Sequence, residues 1–101
     1  MALEHLRSSL TKGNLWLYIL AELKRRDQTP GELRAAVERG HSFSPAPITF
    51  YSVIYKLRRE GLVRKTSQAF RSPYSITPKG RQELAKAIQV LSDTSTGLEA
   101  H

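Results

Sequence analysis

Residues 47 to 81 constrain the fold more than any other stretch of the chain. In PITFYSVIYKLRREG, Phe50, Val53, Ile54 and Leu57 recur at helical spacing, and Gly61 closes the pattern. Leu62 and Val63 lead into a strand, TSQAFRSP reads as a flexible polar tip around Phe70, and YSIT returns as a second strand. A hairpin this short is not stable alone in water. It must lean on the helix before it and on a core supplied by the rest of the chain. The same stretch concentrates positive charge. Residues 48 to 81 hold eight Lys or Arg against one Glu, a net charge equal to the +7 of all 101 residues.

The preceding residues supply that core. In LWLYILAELKRR, Leu15, Trp16, Ile19, Leu20 and Leu23 share one broad face that Leu17 and Tyr18 widen. Such a helix is central to a core or lies in an interface. Asn14 is placed to cap it, and Lys24, Arg25 and Arg26 suit the negative end of its dipole. Thr29, Pro30 and Glu32 then spell a capping box with proline at the first helical position. The helix they open buries Leu33, Ala36 and Val37 and takes Gly40 as its C-cap. HSFSPAP is a loop from which Phe43 plugs the edge of the core.

Both ends carry apolar spacing of their own. Leu3, Leu6 and Leu10 make residues 1–12 an arm or short helix, which Gly13 interrupts. Thr77 and Pro78 begin a last helix with Leu84, Ile88 and Leu91 on one face and Gly80 as a weak point in its first turn. This helix is expected to end at Asp93 and to leave residues 94–101 as a flexible tail.

The length suits one domain with a modest core, near the size at which a second subunit helps. No apolar run is long enough to cross a membrane, and the first residues lack the apolar core of a signal peptide. The absence of cysteine excludes disulfides and agrees with a cytoplasmic protein. A strongly basic balance favours polyanions, nucleic acid above all. His5, His41 and His101 lie far apart with no metal-ligand spacing, and no glycine-rich phosphate loop is present. The nine Asp and Glu fall on predicted polar faces. No catalytic residue, metal or cofactor is expected, and the chain does not read as an enzyme.

The predicted order is helix, helix, helix, strand, strand, helix. That is an α+β winged helix-turn-helix with a short N-terminal arm or helix. Residues 13–78 would form the DNA-binding domain and 79–93 a C-terminal helix for dimerisation. TFYSVIYKLRREGLVRKTSQAFRSPYSITPKGRQEL, residues 49 to 84, resembles the PadR-like winged-helix transcription regulators. Thr49 and Tyr51 match the start of that family's recognition helix. Leu57, Arg58, Arg59, Glu60, Gly61, Leu62 and Val63 match its turn into the wing, and Tyr74, Thr77, Pro78, Gly80 and Arg81 match the exit. The chain departs from the family in carrying Thr29, Pro30 and Gly31 where His-Gly-Tyr is frequent, and in a short final helix. The resemblance implies a cytoplasmic homodimeric repressor reading a palindromic operator in double-stranded DNA.

With the stripe of the third helix buried, Thr49, Ser52 and Lys56 are the candidates to read base edges. Thr29, Tyr51, Tyr55, Arg58, Arg59, Arg64, Lys65 and Arg71 are candidates for the DNA backbone, with Lys65 and Arg71 favoured over Arg64 because neighbours in a strand point to opposite faces. Each also has a plain reading as a solvated side chain, or, for the tyrosines, as part of the core. Leu3, Leu6, Leu10, Trp16, Leu84, Ile88 and Leu91 are the dimer-interface candidates. Trp16 and Tyr18 could stack on a planar effector, though the sequence names none. Two other functions use the same fold: a protein-interaction module of a transcription or assembly complex, and an architectural DNA binder without sequence preference.

Overall fold

The computed structural model describes residues 2–11, 13–41 and 44–100. Five helices and two strands follow in the order α1 (Ala2–Thr11), α2 (Leu15–Arg25), α3 (Pro30–His41), α4 (Pro47–Arg59), β1 (Val63–Lys65), β2 (Tyr74–Ile76) and α5 (Pro78–Glu99). The winged helix-turn-helix expected from the sequence is the observed fold. Phe43, assigned to the core edge, lies outside the described residues.

The hub is α2, which packs against α3, α4, α5 and β2. Its Leu15, Ile19, Leu20 and Leu23 join Leu33 and Val37 of α3 and Phe50, Ile54 and Leu57 of α4 in one buried cluster, completed by Leu62, Val63, Ile76 and Leu84. Glu22 departs from the expectation that all acids lie on polar faces. It is buried, with its carboxylate 3.5 Å from both Arg25 Nη1 and His41 Nε2. Asn14 stands at the N-cap of α2 but does not cap it; its amide donates back to Ser9 O at 2.6 Å. Gly40 likewise lies within α3, which continues to His41, instead of ending it.

The exit from α4 fixes the hairpin. Gly61 has φ 76, Gly61 N donates to Arg58 O and Leu62 N donates to Leu57 O. This is a Schellman closure, with Leu57 and Leu62 buried together across it. The strands pair antiparallel with Val63 opposite Ile76, Arg64 opposite Ser75 and Lys65 opposite Tyr74. Thr77 caps α5 by accepting from Gly80 N at 3.0 Å, and its hydroxyl donates to Gly61 O at 2.6 Å. Gly80 is therefore a requirement rather than a weak point. A Cβ there would stand 2.2 Å from Leu62 O and 2.8 Å from Ile76 Cγ1.

The helix α5 continues through the residues expected to form a tail, but its side chains beyond Ala87 are exposed. Leu84, assigned to the interface, is only 3% exposed and belongs to the core because α5 docks on α2 through its first turns.

Gly80→Ala should cost about 2 kcal/mol, the usual scale for overpacking against backbone that cannot retreat. Gly97→Ala, with nothing within 4 Å of the added carbon, should cost nothing. Urea titrations of the two variants followed by circular dichroism would separate them; equal midpoints would refute the close-contact account.

Candidate nucleic-acid interface

The inward stripe of α4 leaves an outer face formed by Ile48, Ser52, Tyr55 and Arg59, all exposed. Thr49 is exposed beside them. Tyr51 lies on the flank facing the hairpin, half exposed, its ring edge-on to Phe50 with centroids 5.5 Å apart. Two arginines of α4 lie over aromatic rings: Arg58 is 5.9 Å from the Tyr74 centroid and Arg59 is 5.8 Å from that of Tyr55. Such contacts hold guanidinium groups near a surface without neutralising them. Lys56, expected to read bases, occupies the other flank. It lines a cleft with Trp16, Val53, Glu60 and Glu83, on the side away from the hairpin. A helical position at the border of a buried stripe faces whichever neighbour packs there, and here that side belongs to α2 and α5.

The hairpin tip, expected as a flexible polar segment, is folded into a hydrogen-bonded turn. Thr66 N donates to Pro73 O at 2.9 Å, the Ser67 and Ser72 hydroxyls meet at 2.6 Å, and Ser72 N donates to Ala69 O at 3.3 Å. Ser72 is buried within this network. The turn puts Arg71 at φ 61 and leaves Phe70 88% exposed, the guanidinium 5.2 Å from the ring centroid. Strand alternation separates the two basic residues of β1. Arg64 is exposed, whereas Lys65 is partly covered and faces α4.

Between hairpin and helices runs an open groove of about 620 Å³. Thr29, Pro30 and Gly31 at the start of α3 form one wall, Lys65, Phe70 and Arg71 the other, and Tyr51 lies between. No acidic residue lines it among the described residues. A backbone bridge holds the walls at fixed separation: Gln28 N donates to Tyr74 O at 3.2 Å and Tyr74 N to Gln28 O at 2.7 Å. The α3 end of the groove is capped as the sequence predicts. Glu32 N donates to Thr29 Oγ1 at 3.3 Å, and Thr29 N donates to Glu32 Oε1 at 2.9 Å. That backbone donor, with the Thr29 side chain beside it, holds the Glu32 carboxyl below its ordinary value of 4.5. The structure thus gathers Thr29, Tyr51, Lys65 and Arg71 around one groove and sets Ser52, Tyr55 and Arg59 on the outer face of α4 beside Tyr51. Thr49 and Lys56 are exposed on the opposite flank of that face, and Arg64 points away from the groove. Ile48, 84% exposed, and Phe70 were missed because exposed apolar side chains have no periodic signature.

The interface candidates at the two ends are partly uncovered. Leu3, Leu6, Ile88 and Leu91 are exposed, and Val90 and Leu98, not foreseen, join them. Leu10 is half-buried, and Trp16 packs partly against the core while lining a shallow apolar cleft with Val90 and Leu91.

No protein-family model and no curated protein sequence matches the chain. Solved structures do. A PadR-like transcriptional regulator from Bacillus cereus is 26% identical, with a TM-score of 0.76, over 91% of this chain and 94% of its own. A transcriptional regulator from Clostridium thermocellum is 20% identical, with a TM-score of 0.77, over 91% and 93%. Bacillus subtilis PadR, solved in complex with operator DNA, is 26% identical, with a TM-score of 0.61, over 73% of this chain and 46% of its own.

Thr29→Ala should lower stability by about 1 kcal/mol, the usual cost of an N-cap. Glu32→Gln keeps the geometry and removes the charge. Because the folded carboxyl is held below 4.5, its contribution is full above that pH and fades as pH falls through the lower folded value. The stability gap between native chain and Glu32→Gln, read by thermal melting, should close on acidification; a constant gap would contradict this capping role.

Proposed function

We propose that the chain is a PadR-like DNA-binding transcriptional regulator that acts as a homodimeric repressor reading a two-fold symmetric operator, a reading supported by its 26% identity to a PadR-like regulator and to PadR itself. The observation that carries the reading is the acid-free groove between the α3 N-terminus and the hairpin, lying beside the exposed face of α4. A DNA strand laid in that groove would present phosphates to Lys65, Arg71, Tyr51 and the Gly31 amide at the start of α3, which suit anions by charge and by the helix dipole. The outer face of α4 then enters the adjacent major groove. Thr49 and Ser52 offer hydroxyls to base edges, and Ile48 offers an apolar surface to a thymine methyl. Tyr55, Arg58 and Arg59 approach phosphates beyond them. Lys56 stands exposed on the same side of α4 as Thr49, where it also borders the cleft holding Glu60 and Glu83.

The dimer is supported by what the monomer leaves uncovered. Along α5, Leu84, Ile88, Leu91 and Leu98 follow the alternating three- and four-residue spacing of a coiled-coil seam, with Ser95 at the one polar position. Its first member is buried in the monomer's own core and the rest are exposed. A two-fold axis along that seam pairs two copies of α4, and two such helices reach successive major grooves when they lie about 34 Å apart, one turn of duplex. Repression by occupying a promoter is the simplest action for such a dimer.

Selection from random duplexes should return an inverted repeat with half-sites about 10 base pairs apart, or a multiple of that. Lys65→Ala and Arg71→Ala should each weaken all duplexes alike and, by removing one phosphate contact from each subunit of the dimer, reduce the salt slope of binding by about 1.8. Ser52→Ala should relax selectivity at one position per half-site. A dimer that recovers no preferred duplex would overturn the reading and favour a protein partner for the exposed Ile48, Tyr51 and Tyr55. Separately, Leu91→Asp should yield a folded monomer by sedimentation, while Leu84→Asp should unfold the chain; a Leu91→Asp protein that stays dimeric would remove α5 from the interface.

A further inference from the structure

Phe70 is the most exposed large apolar side chain among the described residues, and nothing in the reading above employs it. It is not exposed by slackness. The turn beneath it is tied by the Ser67, Ser72, Ala69 and Pro73 bonds, and Ser72 is 5% exposed. The turn also requires the left-handed conformation at its next residue, where glycine or asparagine would be easiest. Arg71 stands there instead at φ 61, its guanidinium 5.2 Å from the Phe70 centroid. The tip therefore presents a paired aromatic ring and cation, projected from a fixed base.

The groove determines what this pair meets. A phosphate backbone separates a major groove from a minor one. If a strand lies between Tyr51 on α4 and Lys65 on the hairpin, α4 is on the major-groove side and the tip is over the neighbouring minor groove. The minor groove draws arginine by its negative potential, and apolar side chains enter it by wedging against a base step and opening it. Pyrimidine–purine steps open most readily.

We propose that Phe70 wedges at a flexible pyrimidine–purine step flanking each half-site, with Arg71 anchoring it through the phosphate that borders the minor groove, so that the protein bends its operator and reads the deformability of bases outside the half-site. The idea rests on the DNA-reading role given above. Its occupant is the minor groove of the bound duplex, argued from the cation beside the ring and from the acid-free groove leading to it.

The test uses the full-length protein, the selected half-sites and two flanks, one carrying a TA step and one a rigid A-tract at the tip position. The native chain should prefer the TA flank by about tenfold. It should also raise the fluorescence of a 2-aminopurine placed at that step and shorten the end-to-end distance of a dye-labelled duplex. Phe70→Ala should lose the flank preference, the fluorescence rise and the bend, while keeping half-site selectivity and the salt slope. Phe70→Leu should retain part of each. Half-site selectivity with an undiminished flank preference in Phe70→Ala would overturn the wedge alone. Absence of half-site selectivity in the native chain would overturn the DNA reading itself. A Phe70→Ala protein whose only change is a weaker dimer by sedimentation would assign the ring to self-contact and overturn the proposal.

Discussion

Three consecutive carbonyls at the end of α4 hold the architecture together. Lys79 Nζ donates to Glu60 O at 2.8 Å, Thr77 Oγ1 to Gly61 O, and Thr77 N to Leu62 O at 3.1 Å. These carbonyls lie just past the end of the helix, where no amide of α4 reaches them. Satisfying them from the start of α5 ties both ends of the hairpin to one point. Gly61 makes the turn possible through its positive φ, and Gly80 lets α5 lie flush on Leu62 O. The direction of the hairpin relative to α4 is thus set at its neck by backbone contacts, with little left for side chains to adjust.

A second fixed point lies at the other side of the groove. The Gln28–Tyr74 bridge joins the α2–α3 connection to β2, so the hairpin is held at its neck by α5 and along its length by the segment before α3. The groove walls therefore belong to one framework centred on α2. That matters for recognition, because phosphate contacts fix register only if the groups making them keep their spacing. Lys65, Tyr51 and the α3 N-terminus meet this condition through backbone placement. Arg58 and Arg59 meet it through the Tyr74 and Tyr55 rings.

The parts legible in the sequence were those decided by neighbours along the chain. The capping box at Thr29 and Glu32, the stripe of α4, the glycine after it and the alternation that separates Arg64 from Lys65 all depend on residues a turn or less away. The misread parts depend on packing between distant segments. Leu84 looked equivalent to Ile88 and Leu91 until α5 docked and covered the first of the three. Gly80 read as a helix weakness because its reason lies in Leu62, eighteen residues earlier. Phe70 carried no signal at all: its exposure follows from a turn whose hydrogen bonds run between serines scattered through TSQAFRSP.

The continuation of α5 to Glu99 links the two levels of the proposed function. A helix ending at Asp93 would offer Ile88 and Leu91 as an isolated exposed pair. Reaching Glu99, it adds Leu98 on the same side and lengthens the apolar seam by nearly two turns. Long seams constrain the angle between partners more than short ones do, since a small tilt separates side chains at the far end. The core anchors α5 at Leu84, and the neck anchors its first turn to α4 and the hairpin. A partner bound along the free part would thus set the separation of the two reading heads through a nearly continuous rigid path. In the proposed dimer the apolar end of α5 would do more than raise affinity by pairing two weak binders: it would choose which half-site spacing the pair can occupy.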